Sequence, residues 1–129
     1  MTDYLLDTTE IIDYGRGHPP TVALLNGLYE RGNSLGCCDV VIAEVYAGVK
    51  EKDRGKIEEL IEALRFYPAD KEIAKIAGQY INDFGRQGIQ LAVADALIAA
   101  VAISYRLVLV TKNQKHYPMS EIRLHQPLR

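Results

Sequence analysis

The long apolar segment from Leu91 to Val110, broken by only two charges, Asp95 and Arg106, constrains this chain most. Residues 94–105 read as a helix so uniformly apolar that it lacks a water-facing side, which predicts a buried central helix. Leu107-Val108-Leu109-Val110 follows as a buried strand rich in branched residues. The segment is not expected to span a membrane, because a charge near a helix centre in lipid is costly. An element buried on all sides needs partners, and the rest of the chain must supply them.

It does so by alternation. Tyr4-Leu5-Leu6-Asp7 reads as a first strand ending in an acid, residues 8–14 as a short helix, and Gly15-Arg16-Gly17-His18-Pro19-Pro20 as a loop. Residues 21–31 carry Val22, Leu25 and Leu28 at helical spacing, stopped by Gly32. A second strand is expected over 35–38, then a helix over 40–49 capped by Asp39. Ile57, Leu60, Ile61 and Leu64 form an amphipathic stripe over 53–64. A short strand at 65–67 closes at Pro68. Asp70 caps a helix to about Gln87 whose Ile73, Ile76, Ala77, Tyr80, Ile81 and Phe84 should face inward. Arg123-Leu124-His125 adds an edge strand before Pro127. Strands alternating with helices predict an α/β fold, a parallel central sheet with helices on both faces. Ligands in such sheets bind beyond the carboxyl ends of the strands. Asp7 and Thr111 each stand at such an end.

Most acids lie on polar helix faces. Three do not. Asp7 follows an apolar strand, although Asp7 with Glu10 three residues later also resembles a capping box. Glu44 is the only charge between Asp39 and Lys50. Asp95 is the sole ionisable residue between Leu91 and Ser104. An ionised carboxylate in apolar surroundings is unfavourable unless paired or metal-bound, and its other reading is a helix N-cap. Converging carboxylates repel one another, so their convergence makes sense around a hard divalent cation. Such clusters support phosphodiester hydrolysis.

The chain has 129 residues, 48% hydrophobic and 25% charged, enough for one domain with a real core, expected to be residues 1–129. Its formal net charge of -2 supplies no global basic field for nucleic acid. With three carboxylates set aside as metal ligands, the bases slightly outnumber the remaining acids. Cys37 and Cys38 are adjacent and read as a reduced pair packed in a strand. The first residues carry acids where a signal peptide would be apolar, so a cytoplasmic location is expected.

Four segments together resemble the PIN-domain family, and within it the VapC-type toxins. They are Tyr4-Leu5-Leu6-Asp7-Thr8, Ala43-Glu44-Val45-Tyr46-Ala47-Gly48, Asp95-Ala96-Leu97-Ile98-Ala99-Ala100 and Val110-Thr111-Lys112-Asn113. The terminal stretch through Pro127 fits as well. The resemblance implies a Mg²⁺- or Mn²⁺-dependent endoribonuclease that acts on RNA, works as a homodimer and is inhibited by a cognate antitoxin. It carries metal-ligand and catalytic roles over to Asp7, Glu44 and Asp95, with Thr111 and Asn113 supporting them by hydrogen bonds. Many relatives have a fourth acid a few residues beyond the Asn. Here that region reads Gln114-Lys115-His116-Tyr117, with His116 near the expected position.

Two other folds are set aside. A receiver-like domain would need a strand-terminal Asp near residue 50, where the run Lys50-Glu51-Lys52-Asp53-Arg54 stands instead. A dinucleotide-binding fold would need a glycine fingerprint after the first strand. The competing functional reading is a PIN-like module that binds RNA or protein with weak or absent catalysis. Candidate RNA-backbone contacts flanking the site segments are Arg16, Lys112, Lys115 and His116, with Lys50, Lys52 and Arg54 beyond them.

Overall fold

The computed structural model describes residues 1–126; the expected role of Pro127 lies outside them. Strands and helices alternate as β1 (Asp3–Leu6), α1 (Thr8–Gly15), α2 (Pro19–Glu30), β2 (Ser34–Cys38), α3 (Asp39–Gly48), α4 (Glu51–Ala63), β3 (Arg65–Tyr67), α5 (Lys71–Arg86), α6 (Val93–Ser104), β4 (Val108–Val110) and β5 (Arg123–Leu124). The five strands form one parallel sheet in the order β3-β2-β1-β4-β5. The chain therefore winds outward from β1 through β2 to β3, then returns to the other side of β1. The reversal falls between β1 and β4, where Leu6 pairs with Val110. A crevice at the carboxyl ends of those strands is where this class of sheet binds ligands.

Successive residues on a strand point to opposite faces. Leu5 and Leu6 are both fully buried, as are Leu109 and Val110, so both faces of the sheet are covered by helices. The apolar helix α6 lies inside as expected, with Ala96, Ile98, Ala99, Ala100, Val101 and Ala102 buried, and α5 packs along it. Cys37 and Cys38 carry free, buried thiols on β2.

Several local expectations shift. Pro19 and Pro20 are not loop; they open α2. Proline is tolerated in a first helical turn because the missing N–H has no intrahelical partner there. The amphipathic helix likewise starts at Glu51, two residues early. Ile76 is 39% exposed, off the stripe that Ile73 and Ala77 bury. Asp39 is the first residue of α3 rather than its cap; its carboxylate accepts from the amides of Val40 and of Ala69, which ties α3 to the end of β3. Asp70 caps α5 as expected, accepting from Ile73 N at 3.0 Å.

The sheet is tightest at Gly36, between Leu5 of β1 and Arg65 of β3. A Cβ there would collide with the Tyr67 ring edge and stand 3.0 Å from the Arg65 carbonyl oxygen. Gly36→Ala should therefore cost about 1–3 kcal/mol, the usual range for overpacking. Urea unfolding with an unchanged midpoint would contradict this.

Candidate active site

Asp7 is the pivot of the site because three elements hold it. Its amide donates to the Val110 carbonyl at 3.0 Å, extending the β1–β4 ladder by one rung. Its carboxylate caps α1, with Oδ1 accepting from Thr8 N at 2.8 Å. Oδ2 accepts from the Thr111 hydroxyl at 2.7 Å and the Tyr117 hydroxyl at 2.9 Å. Asp7, Thr111 and Tyr117 are all buried. The capping-box reading is half right. Asp7 caps the helix, but Glu10 does not reach back, since the Asp7 amide is already committed to β4.

Asn113 supports the site through its backbone: its N–H donates to Thr111 Oγ1 at 3.0 Å, which orients the hydroxyl toward Asp7. Glu44, exposed on α3, accepts from the Thr8 hydroxyl at 2.6 Å, so Thr8 bridges the first and second acids. Asp95 is the third residue of α6, whose N-cap is Ala92 without a side-chain bond. The N-cap reading of Asp95 is thereby excluded. Its Oδ2 lies 3.5 Å from His116 Nδ1, so an imidazole stands beside the third acid. Burial raises the Asp95 carboxyl above the usual range; His116 pulls it down, and the charges of Asp7 and Glu44 push it up again. Burial, followed by the charge and hydrogen bond of Asp7, pushes the Tyr117 phenol far up, so its hydroxyl stays a donor.

The three acids thus come from the β1–α1 junction, α3 and α6, and Asp95 feels the charges of the other two. Among the described residues no group of three His, Cys, Asp or Glu side chains is drawn in tightly enough to hold a metal ion. Hydroxyls of Thr8, Thr111 and Tyr117 donate to the Asp7 and Glu44 carboxylates. The donor set is nonetheless nearly all oxygen, which suits a hard divalent cation.

The expected RNA contacts fare differently. Lys115 and His116 are exposed on the turn Gln114–His116 after β4. Arg16 follows α1 at its far end, about 13.5 Å along the axis from Asp7 at 1.5 Å per residue. Lys112 turns away from the acids. Its ammonium contacts Asp13 Oδ2, donates to Thr21 Oγ1 at 2.9 Å and lies 3.7 Å from Glu10 Oε2. Arg54 is taken up by Glu51 at 3.4 Å and by the Tyr46 ring.

Three participants were not legible as such. In the sequence Thr8 and Tyr117 stand only as parts of motifs, because a hydroxyl carries no periodic signal. Glu10 looked like a cap partner. It is a buried acid, raised above the carboxylate range chiefly by burial and partly restored by Lys112. A cavity of about 760 Å³ opens beside Thr111, lined by Glu10, Thr21, Leu24, Lys112 and His116 among others but by none of the three acids.

The PIN domain family profile matches residues 4–121 of the chain. Ribonuclease VapC19 of Mycobacterium tuberculosis is 32% identical over 115 residues, covering 89% of this chain and 92% of the relative. Ribonuclease VapC10 of the same species is 31% identical over 119 residues, covering 91% of this chain and 87% of the relative. Among solved structures, VapBC2 from Rickettsia felis bound to a DNA fragment from their promoter superposes with a TM-score of 0.82 at 23% identity, covering 96% of this chain and 98% of the other.

Proposed function

This chain belongs to the PIN-domain family, within its VapC group, and from that premise we propose that it is a metal-dependent endoribonuclease, the toxin of a toxin–antitoxin pair. One observation carries the reading. Three acids, one at the carboxyl end of β1 and one on each of α3 and α6, gather where the sheet reverses between β1 and β4, and the first of them is held by two buried hydroxyls. A structural role would not need Asp7 to gather three donors beside two further acids.

In this reading Asp7, Glu44 and Asp95 hold Mg²⁺ or Mn²⁺. When bound, the cation supplies charge against the phosphate and a more acidic water. Thr111, oriented by the Asn113 amide, keeps Asp7 in place. Lys115 and His116 extend over the site from the turn after β4 and contact the RNA backbone, while Arg16 and Lys112 sit farther out. His116 brings a donor where a fourth acid would bring another negative charge, so it lowers the repulsion a phosphate meets. The intact three acids weigh against a module that only binds.

An antitoxin partner, homodimerisation and a cytoplasmic location are assigned on the same family ground. No helix among the described residues is long and apolar enough to cross a membrane.

The test uses purified protein freed of any co-expressed partner and a structured RNA. Cleavage should require Mg²⁺ or Mn²⁺, stop in excess EDTA and return on adding Mn²⁺. Full cleavage in EDTA would end the metal reading.

A further inference from the structure

The cavity beside Thr111 adjoins the acids without containing them. Thr111 lines it and donates to Asp7 Oδ2, while His116 lines it and stands 3.5 Å from Asp95. A group held there would therefore neighbour whatever the acids act on. Its volume of about 760 Å³ falls in the range of small-molecule sites, roughly 300–1,000 Å³. Leu24 and Val110 give it an apolar wall, and Lys115 and His116 line it from the exposed turn after β4.

Its polar side is a charge pair. Glu10 is almost wholly buried, and its Oε2 accepts no hydrogen bond among the described residues. The Lys112 ammonium lies 3.7 Å from that oxygen, donating to Thr21 Oγ1 at 2.9 Å and contacting Asp13. Lys112 is long and its side chain 45% exposed, so a rotamer change can move the ammonium off Oε2 without disturbing the fold. A carboxylate only accepts and an ammonium only donates. Side by side they match a flat ligand that carries two adjacent N–H donors next to a carbonyl. Among the RNA bases guanine has that edge, with N1–H and the 2-amino group beside O6. Adenine and cytosine would turn a ring-nitrogen lone pair toward the carboxylate, and uracil has a single N–H between two carbonyls.

We propose that this cavity is a base subsite for an unstacked guanine of the RNA, its edge read by Glu10 and Lys112 and its phosphate met by Lys115 and His116. Proteins that read single-stranded RNA commonly do so through splayed-out bases. The proposal rests on the reading of the chain as an RNA-cutting enzyme, but base binding itself needs no metal.

The experiment is titration of the isotope-labelled full chain with GMP, IMP and AMP in EDTA, followed through its amide resonances. GMP should shift Thr21, Leu24 and Lys112 together and bind about tenfold more tightly than AMP, toward the lower end of what a bidentate base contact supplies. IMP, which lacks only the 2-amino group, should fall between them. Glu10→Gln should bring the GMP-to-AMP ratio close to one. The GMP-to-IMP ratio in wild type reads the same contact and decides the matter if that variant does not fold. Equal affinity for the three nucleotides, or shifts confined to other surfaces, overturns the subsite. Argininamide shifting these amides where GMP does not would give the cavity to an arginine of a protein partner and overturn it too. Metal-dependent RNA cleavage without any guanine preference in EDTA would remove this inference and leave the enzyme reading intact. Guanine preference in a protein that does not cleave would keep the subsite and remove the enzyme.

Discussion

Asp95→Asn should abolish RNA cleavage and, in the same preparation, most of the stabilisation conferred by Mn²⁺. The expected loss of rate is about a hundredfold to a thousandfold or more, the scale on which removing a preorganised charge contact acts. The stability arm needs no substrate. Mn²⁺ at a hundred times its dissociation constant should stabilise wild type by about 2.7 kcal/mol through mass action, and the variant should lose most of that gain. With EDTA present the order should reverse. The Asp95 carboxyl is raised above its ordinary value, mainly by burial, then by Asp7 and Glu44 against the opposing pull of His116. A carboxyl raised in the folded state contributes stability below its unfolded pKa and loses it as pH rises through the folded value. At neutral pH the metal-free variant should therefore match or exceed wild type. Asp95 also sits in the first turn of α6, where a negative charge gains about 0.3–1 kcal/mol from the helix dipole, so the excess will be small. The measurement is thermal melting of both proteins with EDTA and with Mn²⁺. An equal Mn²⁺ shift in the two would remove Asp95 from the site.

Lys112→Ala should destabilise the protein by about 1–3 kcal/mol, because it leaves a buried acid without its partner. Glu10 is almost wholly buried and its Oε2 has no hydrogen bond among the described residues; the Lys112 ammonium at 3.7 Å is its nearest countercharge. Lys112 itself is 45% exposed, so water softens the effect and the lower half of that range applies. Removing the acid as well should restore the loss. Glu10→Gln alone should be neutral or stabilising at pH 7, and the double variant should lie close to Glu10→Gln. The pH dependence follows from the same sign. Glu10 is raised in the folded state, so its favourable contribution is present in acid and lost as pH climbs through the folded value. The Lys112→Ala penalty should thus be small near pH 4 and full near pH 7, and absent in the Glu10→Gln background. Urea unfolding of the four proteins at both pH values gives the cycle. Additive effects of the two substitutions would show that Lys112 serves Asp13 or RNA and not Glu10.

Much of this was legible locally. The buried helix and strand near the end of the chain were readable because an element without a polar face has few places to go in water. The parallel α/β class followed from alternation, and Asp7, Glu44 and Asp95 were conspicuous because charges are expensive where neighbours are apolar. Boundaries slipped by a residue or two where prolines or a first-turn acid could serve either side of a helix start.

The tertiary structure alone decided what each side chain faces. Leu6 pairs with Val110, and that register, not any nearby residue, brings Thr111 to Asp7 across 104 positions of sequence. Tyr117, past the turn after β4, donates to Asp7 Oδ2, Asp95 in the first turn of α6 stands beside His116, and Lys112 is committed to Asp13, Thr21 and Glu10. Periodicity reports which residues leave water, since burial is a property each residue carries with its neighbours in the chain. Hydrogen-bond partners depend on strand order and register, which are set by the whole core at once.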